Sequence, residues 1–312
     1  MPYKSSRSYA VPRRFFIVGP TAAGKSELAA EVAHDIGAEI VSADAFQIYR
    51  GLNLLTATPD ATTLAKAPHH LIGTMSIHEE MNAEKFRTAA LRAIEEIHSR
   101  GKMAIVVGGS GLYIKALTHG LAVLPQVDPD LRTKLNAMSI DELRSQLADL
   151  DQESARRIDT KNRCRLVRAL EICLTTGKRA SEQRAQWAVT DLHSGLFVFR
   201  DREELYERIN QRVEAMFEND VIEEVRAVGA MSPTASQMIG LREIRELLTG
   251  KMSISQCVAA IQQATRHYAK RQLTWFRRQT NFQPLNLSLL THNEAVKWLS
   301  QRARRSFARR ND

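Results

Sequence analysis

The sequence predicts an α/β fold, a parallel sheet with covering helices, interrupted by an all-helical insertion. Two observations carry this. Short apolar runs alternate with helical patterns through the first third of the chain, and the alternation stops near Val123 and resumes near Gly195. Phe15 to Val18, Glu39 to Val41 and Met103 to Val107 read as strands, while Ser26 to Ile36 and Ala83 to Ser99 carry apolar residues at helical spacing. Such alternation builds βαβ units around a parallel sheet. From Val123 to about Arg184 the pattern is helical only, entered through Pro125 and Pro129 and rich in arginine. Gly195 to Arg200 restores a strand, and the remainder reads as helix. The expected division is therefore residues 1–122 with 190–312 as the core and 123–189 as the inserted domain.

The first strand feeds Gly19-Pro20-Thr21-Ala22-Ala23-Gly24-Lys25-Ser26, a complete G-x-x-x-x-G-K-S phosphate loop followed by a helix. In that setting successive backbone N–H groups converge on phosphate oxygens, with the positive end of the helix dipole behind them. Lys25 adds a point charge, and the Ser26 hydroxyl suits Mg²⁺. The core is thus expected to resemble the P-loop NTPases.

At 312 residues either one large or two modest domains bury a sufficient core. Composition excludes the disordered and fibrous classes. Cys164, Cys173 and Cys257 are far apart and lack ligand spacing, so neither a disulfide framework nor a zinc site is expected, and a cytoplasmic setting fits. No apolar run is long enough to span a bilayer, so no membrane partner is expected. The basic leader before Phe15 lacks a signal-peptide core, and Pro12 breaks it too early for a transit helix. The net charge of +9 is concentrated at 156–184, at 266–278 and in the Arg302–Arg310 tail, which suits a polyanionic partner as well as a solvated surface.

Each strand ends in ligand-binding residues, as open α/β sheets require: the phosphate loop, then Ser42-Ala43-Asp44, then Gly108-Gly109-Ser110-Gly111. An ATPase needs an acidic strand end that holds Mg²⁺ and helps place a nucleophilic water. Here the third run ends in glycines and a serine. Asp44, about 20 residues beyond Lys25, reads as a base acting on an acceptor, or as a turn or cap residue. Group transfer therefore outranks hydrolysis.

In an expected helix over Glu203–Val228, Leu205, Ile209, Val213, Met216 and Phe217 form the apolar stripe, leaving Arg208 and Arg212 together on an adjacent face. That pair suits a phosphate or plain solvation. A second helix over Ser253–Arg278 opens with Ser253 and Gln256 in capping-box spacing. It buries Val258, Ile261, Thr265 and Tyr268, with Arg266, Lys270 and Arg277 on another side and Arg271, Trp275 and Arg278 nearby. Basic residues interleaved with aromatics suit a nucleic-acid backbone and an unstacked base, and equally a solvated amphipathic helix.

From about residue 15 to residue 280 the chain resembles the tRNA dimethylallyltransferases, also called tRNA isopentenyltransferases. The resemblance is carried by the phosphate loop, by Ser42 to Gly51, Pro68 to Ile72, Val107 to Tyr113, Arg165 to Glu171 and Ala269 to Arg277, in that order. It implies transfer of a dimethylallyl group from dimethylallyl diphosphate to the exocyclic amine of the adenosine just 3′ of the anticodon, with Mg²⁺ and without ATP. The loop, Lys25, Mg²⁺ at Ser26, and Arg208 or Arg212 would stabilise the leaving diphosphate, and Asp44 would take the amine proton. Ser110 stands where the family usually has threonine. Asp44, Ala45, Phe46 and Gln47 would meet the extruded base, and Arg165, Arg168, Lys270, Arg271 and Arg277 would grip the anticodon stem-loop. A monomer is expected.

Three places depart from the family pattern: Leu55 and Thr58 where a Gly-Thr-Ala-Lys-Pro pattern is usual, Gly73 in place of an acid, and Leu241 in place of a tyrosine. All concern RNA contact. Two rivals remain: an ATP-dependent P-loop phosphotransferase acting on a small molecule, which leaves the basic segments idle, and a non-catalytic RNA-binding protein, which leaves Lys25, Ser26 and Asp44 idle.

Overall fold

A computed structural model describes residues 14–121, 128–159, 162–184 and 194–308. The leader before Arg14, Pro125, the expected domain boundaries at 122/123 and 189/190, and Arg309 and Arg310 of the tail lie outside the described residues. The chain divides into two compact units, Met1–Thr118 with Asp191–Asp312, and His119–Thr190.

In chain order the elements are β1 (Arg14–Val18), α1 (Lys25–Ile36), β2 (Glu39–Ser42), α2 (Ala61–Ala65), β3 (His69–His70), α3 (Ala83–Ser99), β4 (Ala104–Gly108) and α4 (Gly111–His119). The helical unit holds α5 (Pro129–Ala137), α6 (Ile140–Leu150), α7 (Gln152–Arg157), α8 (Arg163–Thr176) and α9 (Ala180–Arg184). The core then resumes with β5 (Ser194–Phe199), α10 (Arg202–Glu218), α11 (Val221–Arg226), α12 (Leu241–Leu248), α13 (Ile254–Gln279), β6 (Gln283–Asn286) and α14 (His292–Ala308).

The six strands form one parallel sheet in the order β3-β2-β4-β1-β5-β6. Both faces are covered, which explains the uninterrupted apolar runs. Phe16, Val18, Val41, Val106 and Phe197 face one core with Phe86, Ile94 and Ile97 of α3. Phe15, Ile17, Ile40, Ile105 and Leu196 face the other with Leu28 and Val32 of α1 and Leu299 of α14. After β1 the chain runs to β2 and β3 on one side, returns to β4 beside β1, then crosses to β5 and β6 on the other side. That reversal opens a crevice at the carboxyl ends of β1 and its neighbours, where ligands bind in such sheets.

Two local expectations are corrected. The helix expected over Glu203–Val228 is broken at Asn219 and Asp220, where Asp220 takes φ +64° and begins α11. Asp is among the few residues that tolerate the left-handed region. The stretch after Arg278 is not wholly helical, because Gln283–Asn286 pairs with β5. This strand, QPLN, carries a proline and no apolar run, as an edge strand tolerates. The opposite edge strand, β3, is only two residues long.

The helical unit packs around Leu135, Leu143, Leu147, Leu166 and Leu170. Its buried acids are satisfied: Glu171 pairs with Arg132 and Arg168, and Asp151 accepts from Ser154 N, Ser181 N and Ser181 Oγ. Among the described residues no helix is long and apolar enough to cross a membrane.

Candidate active site

The phosphate loop joins β1 to α1. Gly24 caps α1 at φ +88°, and no side chain caps that helix. The first N–H groups of a helix have no intrahelical partner and favour an anion. Ala22 is also left-handed, at φ +63°. For an alanine this is strain of about 1 kcal/mol or more, of the kind held at ligand sites.

Three arginines grip the loop residue by residue. Arg212 donates to Thr21 Oγ1 at 2.9 Å, Arg208 Nε to the Ala22 carbonyl at 3.0 Å and Arg200 Nε to the Ala23 carbonyl at 3.1 Å. Lys25 Nζ donates to the Pro20 carbonyl at 2.6 Å. These acceptors are neutral and do not cancel the charge of Lys25, Arg208 or Arg212, whereas Arg200 is also paired with Glu204. Burial lowers the Lys25 pKa to about 8, with Arg212 acting in the same sense and Asp44 against it. Burial likewise lowers Arg212 to about 10. Arg212 Nε is buried without a hydrogen-bond partner. Asp44 offsets part of this charge, and the remaining desolvated cations favour an incoming anion.

Lys25, Ser26, Asp44, Gln47, Arg208 and Arg212 line one cavity of about 530 Å³ with Thr21, Ala22 and Gly24. Gly19, Pro20 and Ala23 are buried. Asp44 follows β2. Its Oδ1 accepts from Phe46 N at 2.9 Å and Gln47 N at 3.3 Å, so the carboxylate does serve as a turn residue. It also borders a second, smaller pocket of about 60 Å³, where Phe46, Leu55, Val213, Met216, Met238 and Ile261 stand beside Thr21, Thr56, Arg212 and Thr265. Asp44 therefore lies where the charged cavity meets a pocket of mixed apolar and polar lining.

Ser110 Oγ accepts from Ala45 N at 3.0 Å, tying the turn after β4 to the turn after β2. The Gln47 amide donates to the Ala57 carbonyl at 2.9 Å, so it braces the loop that carries Leu55 and Thr58. On α13, Lys270, Arg271 and Arg277 are exposed, Arg271 beside the Tyr268 ring and Arg277 beside the Phe199 ring. Arg266 departs from the expected basic face. Its guanidinium donates to Asn210 Oδ1 at 2.8 Å and packs α13 on α10. In the helical unit Arg165 is exposed, whereas Arg168 is paired with the buried Glu171.

Sequence reasoning missed Arg200 and Gln272. Arg200 directly follows β5, and the strand-end rule applied to the other strands would have found it. Gln272 sits inside the Ala269–Arg277 segment, masked by its basic neighbours.

The IPP transferase family profile matches residues 47–279. A protein named tRNA dimethylallyltransferase 1 from Citrifermentans bemidjiense is 44% identical over 270 residues, spanning 84% of this chain and 88% of the relative. The tRNA dimethylallyltransferase of Akkermansia muciniphila is 42% identical over 264 residues, spanning 85% and 90%. The crystal structure of a tRNA isopentenylpyrophosphate transferase from Staphylococcus epidermidis matches with a TM-score of 0.69 at 31% identity, over 94% of this chain and 99% of that one. A eukaryotic dimethylallyltransferase described as acting on tRNA matches with a TM-score of 0.73 at 27% identity, over 85% of this chain and 70% of that one. With the profile covering well over half of its length, the chain belongs to the IPP transferase family.

Proposed function

We propose that this chain transfers the dimethylallyl group of dimethylallyl diphosphate to the exocyclic amine of the adenosine 3′ of the anticodon in tRNA, giving N6-dimethylallyladenosine. The observation that carries the reading is that Asp44 and Arg212 border both a cationic cavity and a second pocket carrying the apolar side chains of Phe46, Leu55, Val213, Met216, Met238 and Ile261. The donor has the same two-part character, a diphosphate joined to a five-carbon hydrocarbon.

The amine nitrogen attacks the allylic carbon, the bond from that carbon to the diphosphate oxygen breaks, and the amine proton passes to Asp44 as general base. The loop N–H groups, Lys25, Arg208 and Arg212 stabilise charge building on the departing diphosphate, and Arg200 joins them. Ser110, fixed by Ala45 N, offers a hydroxyl to the bridging oxygen. Enzymes of this family need a divalent cation, which we take to be Mg²⁺. The oxygen donors fit it: the Ser26 hydroxyl and the Asp44 carboxylate line the same cavity, and Mg²⁺ takes oxygen ligands with phosphate and water completing its shell. Ser26 would hold the ion, which when bound would neutralise part of the diphosphate charge.

The acceptor base must leave the anticodon stack. Ala45, Phe46 and Gln47 border its path to Asp44, with Phe46 offering a face and Gln47 an edge. Arg165, Lys270, Arg271 and Arg277 are exposed cations suited to phosphates of the anticodon stem-loop, and Arg168 joins them while holding Glu171. The same reading makes the protein a cytoplasmic monomer.

Nucleoside mass spectrometry tests this. An anticodon stem-loop RNA incubated with the protein, Mg²⁺ and dimethylallyl diphosphate should gain one dimethylallyl group on the adenosine 3′ of the anticodon. An unmodified RNA would refute the assignment.

A further inference from the structure

Gln272 is buried, 5% exposed, in the C-terminal third of α13. Its Oε1 accepts from Thr21 N at 2.8 Å, and its Nε2 donates to the Gly109 carbonyl at 2.9 Å. One amide thus joins the phosphate loop after β1 to the glycine turn after β4. The fit is close: a Cβ on Gly109 would lie 2.2 Å from Nε2. Only a side chain that both donates and accepts at this spacing satisfies the two backbone groups, and Gln is such a side chain.

The neighbours of Gln272 repeat the arrangement. Tyr268 and Trp275 share its face of the helix at i−4 and i+3. The Tyr268 hydroxyl interacts with the Ser110 and Gln272 side chains, and the Trp275 ring occupies the space a Cβ on Gly111 would need, 2.4 Å away. Three residues of α13 therefore meet Gly109, Ser110 and Gly111. Lys270 and Arg277 lie on the opposite, exposed face.

We propose that Gln272 is a positioning residue that sets the phosphate loop against the Gly109 turn, so that the loop holds its ligand-ready shape before the donor arrives. The proposal rests on the donor reading above. Thr21 N–H is spent on Gln272 and not on phosphate, and Thr21 Oγ1 is held by Arg212. With Thr21 fixed at both ends, the remaining loop N–H groups need no reorganisation when the anion enters. If the residue served packing alone, an apolar side chain would fill the space without the desolvation cost of an amide.

The test uses the full chain as wild type, Gln272→Met, Gln272→Ser and Gly109→Ala, the last displacing the amide from its other partner. Calorimetry with pyrophosphate reads the loop directly, and steady-state transfer to an anticodon stem-loop RNA reads the reaction. Gln272→Met should weaken pyrophosphate binding about 10-fold or more and raise the donor KM by a similar factor, since two buried backbone groups lose their partners. RNA affinity should stay near wild type, while the thermal midpoint should fall modestly because the same two groups are left buried without partners. Gly109→Ala should act alike, and the double variant Gln272→Ser with Gly109→Ala should be no worse than the poorer single variant. Wild-type pyrophosphate affinity in any folded single variant, or equal losses of pyrophosphate and RNA affinity, would overturn the proposal. Pyrophosphate binding by a wild type that transfers nothing would instead refute the donor reading, with Gln272 still judged on the pyrophosphate constants.

Discussion

Arg212 and Arg277 are the same residue type in opposite physical settings. Arg212 is half-buried beside Thr21, Lys25 and Asp44 with its Nε shielded from solvent, and desolvation pulls its pKa down to about 10. Arg277 is exposed on α13 near the Phe199 ring. A charge in a low-dielectric site acts strongly and is little affected by salt, whereas an exposed charge acts weakly and is screened beyond about 8–10 Å. The difference separates two kinds of anion recognition in one protein: a small, fixed anion in the cavity and an extended, salt-sensitive one along the surface.

The largest expected effect breaks the contrast at its centre, where the two cavities meet. Asp44→Asn keeps a side-chain acceptor for Phe46 N and Gln47 N and removes the base. Its kcat should fall ~100-fold or more while RNA affinity stays close to wild type. Near-normal turnover would reduce Asp44 to its turn role.

A middle-sized effect comes from Lys25. Burial holds its pKa near 8 in the free protein, and the charged amine is the form that attracts the anion. As pH rises through about 8 the free site loses this charge, so pyrophosphate affinity should fall relative to Lys25→Arg, whose guanidinium stays charged. Parallel pH profiles for the two proteins, measured by calorimetry from pH 6.5 to 9.5, would show that Lys25 does not titrate there.

The smallest effects belong to the surface. Neutralising Arg165, Lys270 or Arg277 singly should weaken RNA binding and flatten the slope of log K against log salt by up to about one unit, with pyrophosphate binding unchanged. Arg168 should differ, because its removal also strips a partner from the buried Glu171. Arg168→Ala should lower the thermal midpoint as well as RNA affinity.

The sequence revealed most where short-range chemistry decides the outcome. The phosphate loop, the strands on either side of the switch point and the capping box of α13 were all legible, since each is written in consecutive residues. Asp44, Arg208 and Arg212 were legible as residues at strand ends or on one helix face, and the fold brings them to one cavity. What escaped depends on long-range contacts. Gln272 acts on residues 251 and 163 positions away, so no local pattern marks it. The edge strands β3 and β6 escaped because a strand with one neighbour needs no apolar run, and the break at Asp220 because a helical stripe continues on both sides of it. Arg266 read as part of a basic face because its partner, Asn210, lies on another helix.

The central claim is that the loop serves a diphosphate donor and not ATP, and one preparation tests it directly. The protein is given Mg²⁺, an anticodon stem-loop RNA, dimethylallyl diphosphate and ATP together, and both RNA prenylation and ATP consumption are followed. The account predicts that dimethylallyl groups appear on the RNA, that pyrophosphate is released in equal amount, and that ATP competes for the loop without being consumed, since the cradle reads phosphate oxygens. ATP turnover with no prenylated adenosine would contradict it and favour a phosphotransferase.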